Sequence, residues 1–184
     1  VLALKRCKAQ GAKTIALTNV AASSISFAAD ETLYLGAGAE GAVAATKSYV
    51  CQQLALYVIA KTCEGQPPTI AQITALRDGV RAASIHSLYE EKIKKANLFF
   101  IGKGLDYVTA QEGALKFKEI TYKMTDAYQA GELKHGTIAL IDSKSVVVVI
   151  SASSADKERI EASVSELRSR GAHVVSLTSI GDVG

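Results

Sequence analysis

The sequence has little of what would assign a chain to a membrane, disulfide-rich or nucleic-acid-binding class. No apolar run approaches the roughly 20 residues that a membrane span needs. The three cysteines, Cys7, Cys51 and Cys63, are few and widely spaced, which argues against a disulfide framework and a zinc site. The net charge is only +3, and lysine and arginine are spread among acidic residues. This pattern gives no basic stripe for nucleic acid.

The remaining composition is typical of a soluble globular protein. Apolar residues make up 48% and charged residues 21% of the 184 residues, ordinary values for a chain long enough to bury a core. Four apolar residues precede Lys5 and Arg6, which is the reverse of a secretory signal. Together with the widely spaced cysteines, this order predicts that the protein resides in the reducing cytoplasm. We expect the cysteines to be buried as small apolar side chains.

Strand-like and helical segments alternate along the chain. Short apolar runs that indicate strands cover residues 13–19, 32–35, 98–101, 126–129, 145–150 and 172–177. Helical spacing covers residues 1–10, 42–63, 70–83, 88–95, 106–123 and 156–170. This alternation predicts an α/β fold with parallel sheets flanked by helices.

Two similar stretches divide the chain. Residues 5–19 (KRCKAQGAKTIALTN) and residues 165–179 (SELRSRGAHVVSLTS) share the order helix, glycine, strand. The repeat indicates two related units in tandem. Residues 64–68 (EGQPP) contain both prolines and form the clearest linker.

Candidate proton-transfer residues lie on the helix predicted over residues 106–123. Glu112, Lys116 and Glu119 are spaced by four and three residues, so they project from one helix face. An exposed face with a simple ion pair is one explanation. The other is that the apolar neighbours bury the helix, and a carboxylate at the edge of a buried face could act as a general base.

His135 is the histidine with the most informative context. Gly131 and Gly136 bracket it, which indicates that loop geometry positions the ring, although an ordinary surface histidine fits the pattern too. His86 and His173 have no comparable context, and the three histidines are too scattered for a metal site.

Two weaker signals involve glycine and hydroxyl residues. Gly102–Gly104 follows a strand and precedes a helix, where phosphate loops lie, but it lacks the GxGxxG and Walker patterns. Ser23, Ser24 and Ser26, and the Thr46–Ser48 segment, could cap helices or contact sugar hydroxyls. Capping is the favoured interpretation.

Two stretches carry a resemblance to a known family. Residues 112–122 are EGALKFKEITY and residues 127–142 are AYQAGELKHGTIALID. Both resemble the isomerase half of the glutamine–fructose-6-phosphate aminotransferase family. The resemblance continues upstream in residues 18–24 and 37–47, and it covers nearly the whole chain.

The resemblance implies two sugar isomerase (SIS) domains and a sugar-phosphate substrate, with no metal or nucleotide cofactor. It implies that Glu119 is the base that moves a proton between C1 and C2, and that Lys116 lies near the sugar oxygens. It implies that His135 assists ring opening from the neighbouring subunit, so a homodimer is expected. It also places Val43 and Ala45 among the substrate-binding residues.

The resemblance further implies domain boundaries and missing parts. Residues 1–64 are expected to be the C-terminal part of a first SIS domain, 65–90 a linker and helix, and 91–184 the N-terminal part of a second. The family's phosphate loop, N-terminal glutaminase domain and C-terminal tail have no counterpart here. We therefore expect a piece that is truncated at both ends and inactive by itself.

Two other classes of protein share this scaffold. One is a glucosamine-6-phosphate deaminase or sugar-phosphate isomerase that has SIS domains but no glutaminase domain. The other is a non-catalytic SIS module that senses sugar phosphate. The sensor would not need Glu119, so the set of Glu119, Lys116 and His135 favours an enzyme.

Overall fold

The computed structural model describes residues 1–82, 93–94, 96–152 and 157–178. The chain divides into two compact units, Val1–Ser84 and Ile85–Gly184. The helix expected over residues 88–95 lies largely outside the described residues. Within the described ranges, no helix is both long and apolar enough to cross a membrane.

The first unit contains a small parallel sheet and four helices in its described part. In chain order the elements are α1 (Leu2–Ala9), β1 (Ile15–Thr18), α2 (Ser24–Ala28), β2 (Glu31–Tyr34), α3 (Lys47–Cys63) and α4 (Ile70–Ala82). Strands β1 and β2 pair in parallel through the short crossover that contains α2. The expected strand–helix alternation is therefore confirmed in this unit.

Hydrogen bonds from nearby side chains determine where two helices of the first unit begin. The hydroxyl of Ser23 accepts a hydrogen bond from the Ser26 N–H group at 3.4 Å, so the predicted capping role of Ser23 is confirmed. The predicted start of α3 at residue 42 is wrong, because the helix begins at Lys47. There a Glu40 carboxylate oxygen accepts hydrogen bonds from the N–H group and hydroxyl of Ser48, satisfying groups that a helix start leaves unpaired.

The cysteine prediction is wrong for two of the three side chains. Cys7 and Cys63 are exposed, and Cys51 is half-buried. Cys7 lies on α1, and Cys51 and Cys63 lie on α3, and neither helix has a buried residue. All three cysteines are free thiols.

The second unit contains a four-stranded parallel sheet in its described part. Its elements are β3 (Asn97–Gly102), α5 (Leu105–Thr121), β4 (Thr125–Gln129), two 3₁₀ turns (Glu132–His135 and Thr137–Leu140), β5 (Ser145–Ser151), α6 (Lys157–Ser169) and β6 (His173–Thr178). The strand order is β4-β3-β5-β6, and every neighbouring pair is parallel. The 3₁₀ turns were not predicted from the sequence.

Alternating apolar side chains give this sheet two buried faces. Leu98 and Phe100 point to one face, where α5 packs through Ala110 and Ala114. The intervening strand residues point to the other face, where α6 and the 3₁₀ turns pack. That second cluster consists of Phe99, Ile101, Leu133, Ile138, Ile141, Val147, Val149, Ile160, Val164, Leu167 and Ala172. Successive side chains of a strand point to opposite faces of the sheet, and apolar residues occupy nearly every position, so both faces are buried.

Gly102 ends β3 where the chain turns directly into α5. A Cβ atom at this position would lie 2.5 Å from the backbone carbonyl carbon and oxygen of Asp106. These are backbone atoms at the start of the helix, so the contact cannot be relieved by moving a flexible side chain. The absence of a side chain at Gly102 is therefore what allows α5 to begin against the sheet.

We predict that Gly102→Ala destabilises the protein by about 1–3 kcal/mol, the usual cost of forcing an extra carbon into a packed site. Gly79→Ala is the matched control, since a Cβ there meets no atom within 4 Å and alanine is the better helix former. Urea unfolding measures both variants. Unchanged stability of Gly102→Ala would contradict the packing argument.

Asp30 joins three parts of the first unit. Its carboxylate lies 2.8 Å from the Lys8 Nζ atom on α1. The other carboxylate oxygen accepts hydrogen bonds from the Thr14 N–H group and hydroxyl, each at 2.8 Å. The hydrogen bond from Lys8, followed by those from Thr14, lowers the pKa of Asp30 to about 2. These bonds stabilise the ionised carboxylate.

We predict a stability dependence on acid that comes from Asp30. Because its pKa in the folded protein lies below the ordinary value, its contribution is present above about pH 4 and is lost as the pH falls towards 2. The carboxyl carbon chemical shift should titrate with a midpoint near 2. Lys8→Met should raise that midpoint, whereas Lys5→Met, on the same helix, should not. A midpoint near 4 in the unmodified protein would refute the prediction.

Candidate active site

Helix α5 presents one face to the sheet and another to its surroundings. Ala110 and Ala114 are buried against the sheet, and a Cβ on Gly113 would lie 3.0 Å from the Phe100 ring. These small residues bring the helix backbone close to β3. The residues on the remaining faces of the helix are thereby directed away from the core.

The structure brings together the three charged residues that share a face of α5. The Lys116 Nζ atom donates a hydrogen bond to the Glu119 Oε2 atom at 2.8 Å. It also lies 3.5 Å from the Glu112 Oε1 atom. The three side chains are 20–27% exposed, so they are neither buried in the core nor fully in water. The helix face predicted from the spacing of Glu112, Lys116 and Glu119 is confirmed; the chemical role of Glu119 stays a prediction.

Lys116 carries a positive charge in this cluster. The hydrogen bond to the Glu119 carboxylate raises the pKa of Lys116 above its ordinary value, although partial burial opposes this. Lys116 is therefore an ammonium ion at neutral pH and can donate hydrogen bonds but cannot accept a proton. The proton acceptor in the cluster has to be a carboxylate.

The cluster lies at the amino end of the sheet. Helix α5 starts after the carboxyl end of β3 and runs back along the sheet, so Glu119, in its last turn, is near the start of β4. Ligands of open α/β sheets usually bind at the carboxyl ends of the strands. Glu119 and Lys116 are thus displaced from that edge of their own sheet, and a substrate would have to approach them along the side of α5.

His135 lies on the exposed surface of the second unit. It ends the 3₁₀ turn Glu132–His135, which is anchored by the buried Leu133 side chain. Gly131 and Gly136, at φ 99° and 152°, flank the turn, as expected from the sequence. No hydrogen bond joins the imidazole to Lys116, to Glu119 or to any other described residue. The structure therefore does not bring His135 into the charged cluster.

Val43 and Ala45 lie in the irregular segment between β2 and α3. Val43 is 86% exposed, and Ala45 is half-buried. Their side chains offer no polar group, so any contact with a sugar phosphate would have to use the backbone at these positions. The segment is held in place by Asn19 and Glu40.

The glycine loop after β3 leads into a helix whose first turn carries an acidic residue. Gly104 precedes α5, and the Asp106 carboxylate in the first turn accepts a hydrogen bond from the Ala152 N–H group at 2.9 Å. A carboxylate that already occupies the helix start would repel a phosphate. Within the described ranges, no group of three or more His, Cys, Asp or Glu side chains could hold a metal ion.

The sequence placed Glu112 on the face of α5 that carries Lys116, and the structure brings the two side chains to 3.5 Å. Sequence reasoning assigned no role to Asn19 and Glu40. Asn19 contacts the backbone of a loop 18 residues away, and Glu40 contacts the start of α3 eight residues away. No local pattern predicts pairs of that kind, since each depends on where β1, β2 and α3 lie in the fold.

Comparisons with known proteins identify relatives over the whole chain. A family profile described as SIS domain matches residues 1–62 and 92–182. The glutamine–fructose-6-phosphate aminotransferase (isomerizing) of Caldanaerobacter subterraneus subsp. tengcongensis is 38% identical over 197 residues, which cover 100% of this chain and 32% of that protein. The chain thus spans about a third of the length of the curated relatives it matches.

Solved structures agree with this relationship. The C-terminal domain of glucosamine–fructose-6-phosphate aminotransferase from Francisella tularensis is similar with a TM-score of 0.77 and 30% identity, covering 96% of this chain and 54% of that chain. Glucosamine-6-phosphate deaminase from Thermotoga maritima has a TM-score of 0.78 at 23% identity, covering 99% and 57%, and shares the fold. With parallel sheets flanked by helices and a profile match that covers most of its length, the chain belongs to the SIS domain family.

Proposed function

We propose that this chain is the isomerase part of a glutamine–fructose-6-phosphate aminotransferase. The proposed reaction converts fructose 6-phosphate and glutamine-derived ammonia into glucosamine 6-phosphate. The names of relatives at 35–41% identity support this assignment. The observation that carries it is the half-buried hydrogen bond between Lys116 and Glu119, because it pairs a proton acceptor with a fixed cation.

The chemistry of the proposed isomerisation suits these two side chains. Ammonia first condenses with the C2 carbonyl and releases water. A base then removes a proton from C1 and returns it to C2, while O1 gives up its proton and becomes the aldehyde oxygen, so the amine stays on C2. Glu119 can act as this base through its Oε1 atom, which accepts no hydrogen bond from the described residues, while Lys116 holds its Oε2 atom. The Lys116 ammonium can donate to the sugar oxygen that gains negative charge in the transition state.

The other residues implied by the resemblance receive supporting roles. We propose that His135 transfers a proton during opening of the sugar ring, since histidine exchanges protons near neutral pH. Its exposed position supports action on a substrate held by the partner subunit of a homodimer. Val43 and Ala45 are proposed to contact the sugar phosphate through their backbone.

The proposal also extends to the organisation of the protein. We propose that the profile matches at residues 1–62 and 92–182 are parts of two SIS domains. Glutamine hydrolysis is assigned to a glutaminase domain of a longer polypeptide, as the threefold greater length of the relatives supports. We propose that the 184-residue chain alone is inactive. The free cysteines fit a cytoplasmic protein.

We predict that Glu119→Gln, in the full-length protein, lowers sugar product formation by about 10²–10⁴-fold, the usual contribution of a general base. Glutamine hydrolysis should continue, because it does not use this carboxylate. Glucosamine 6-phosphate and glutamate are measured in the same reaction. Glu158→Gln, at an exposed position on α6, is the matched control and should be fully active.

The outcomes separate the candidate functions. Product formation near the parent rate in Glu119→Gln would refute the role of Glu119. If glucosamine 6-phosphate is consumed and ammonia released without glutamine, the protein is a deaminase. If fructose 6-phosphate binds but neither reaction occurs in the unmodified protein, the protein is a non-catalytic sensor.

We predict that His135→Ala slows reaction of cyclic fructose 6-phosphate about 10²-fold more than reaction of an open-chain analogue. An analogue that is already open bypasses the step assigned to His135. Steady-state rates with both compounds measure the difference. Lys134→Ala, in the same exposed turn, should slow neither reaction. Equal slowing of the two compounds by His135→Ala would remove the ring-opening role.

A further inference from the structure

The segment between β2 and α3 is almost without functional side chains. Residues 37–45 are AGAEGAVAA, in which Glu40 is the single polar side chain. Glu40 is itself engaged with Ser48 at the start of α3. A ligand at this segment would therefore be recognised by backbone groups.

The backbone of the segment has donors to offer. The N–H groups of residues 38–45 make no hydrogen bond within the part of the chain that the structure describes. Unpaired backbone N–H groups bind oxygen atoms and anions, since each is a strong donor that needs an acceptor. The hydroxyls and phosphate of a sugar phosphate supply such acceptors.

Asn19 fixes the first end of the segment. The Asn19 Oδ1 atom accepts a hydrogen bond from the Ala37 N–H group at 2.9 Å, and its Nδ2 atom donates to the Gly38 carbonyl at 2.7 Å. Asn19 directly follows β1, so its backbone is fixed by the sheet. One amide side chain thus holds both a donor and an acceptor of the loop backbone.

The Glu40 side chain fixes the part of the segment that leads into α3. Its carboxylate accepts hydrogen bonds from the Ser48 N–H group at 3.0 Å and the Ser48 hydroxyl at 2.9 Å. These bonds lower the pKa of Glu40, the backbone donor contributing most. Thr46, in the N-cap position of α3, makes no capping bond through its side chain, so Glu40 takes that place.

We propose that Asn19 and Glu40 are positioning residues that hold the backbone of residues 37–45 ready to bind the oxygen atoms of fructose 6-phosphate. This inference rests on the proposed function and adds two residues to it. Neither side chain touches the reacting carbons. Both act through the loop backbone, where the Lys47 Nζ atom also donates to the Ala39 carbonyl at 2.5 Å. Gly38 and Gly41 make the backbone more mobile when the bonds of Asn19 and Glu40 are lost.

Loss of the two hydrogen bonds made by Asn19, or of the two made by Glu40, should weaken binding of fructose 6-phosphate and leave the chemical step intact. An untied loop has to be ordered when the substrate binds, which costs conformational entropy. The proposed proton transfer is assigned to Glu119 and Lys116 and not to this loop. The expected signature is therefore a raised KM with little change in kcat.

The experiment uses the full-length protein and fructose 6-phosphate. For Asn19→Ala and Glu40→Ala, we expect KM to rise about tenfold or more, the effect of one or two lost hydrogen bonds, while kcat stays within about twofold. Hydrogen–deuterium exchange of the peptide covering residues 36–48 gives a second reading. Fructose 6-phosphate should slow exchange there in the unmodified protein, and the two variants should need about tenfold more sugar for the same protection.

Three further variants separate a positioning role from general damage. Glu40→Gln keeps an oxygen acceptor at the same length and should retain most of the affinity. Gln72→Ala removes a comparable acceptor of a backbone N–H group, that of Thr69, elsewhere in the unit and should change neither KM nor exchange. Glu119→Gln should lose turnover but keep sugar-dependent protection of residues 36–48.

The outcomes also distinguish this inference from the proposed function. Unchanged KM and protection in Asn19→Ala and Glu40→Ala, with normal turnover of the unmodified protein, would overturn the positioning role alone. A fall in kcat with unchanged KM would overturn it too. Absence of both turnover and sugar-dependent protection in the unmodified protein would overturn the proposed function and this inference together.

Discussion

The close contact between helix α5 and its sheet is the constraint on which the candidate active site depends. Ala110, Gly113 and Ala114 bring the helix backbone near Phe100. With that face committed to packing, side chains spaced by four and three residues on the remaining surface are neighbours of each other. Lys116 is thereby placed beside both carboxylates. The cluster itself stays partly exposed, at 20–27%.

Much of the second unit's fold could be predicted from its sequence. Strands β3 and β5 are nearly continuous apolar runs, such as Val146–Ile150, and α6 is followed closely by Gly171, so the apolar pattern and the position of the glycine agree. The start of α3 could not be predicted in this way. Ala42–Ala45 are good helix formers, but the helix begins after them because Glu40, brought in by the preceding loop, satisfies Ser48. A helix boundary set by a tertiary contact has no local signal.

The candidate site also has one part that the sequence predicted and another part that it did not. The juxtaposition of Lys116 and Glu119 follows from helix geometry alone, so the sequence predicted it. The roles of Asn19 and Glu40 depend on contacts that join a strand end, a loop and a helix start, and the sequence did not reveal them. The 3₁₀ turn that carries His135 also depends on tertiary packing, since buried Leu133 anchors it.

The composition of the charged cluster is itself an argument for function. Elsewhere in the described chain, Lys61–Glu64 and Lys118–Asp126 are one-to-one pairs at more exposed positions, where an ion pair contributes little to stability. Lys116 instead faces two carboxylates at 20–27% exposure, which leaves one negative charge uncompensated. Two carboxylates around one ammonium go beyond the single ion pair that stabilises a helix face. A proton acceptor beside a permanent cation is what such an arrangement provides, and that combination suits the proposed proton transfer at a sugar carbon.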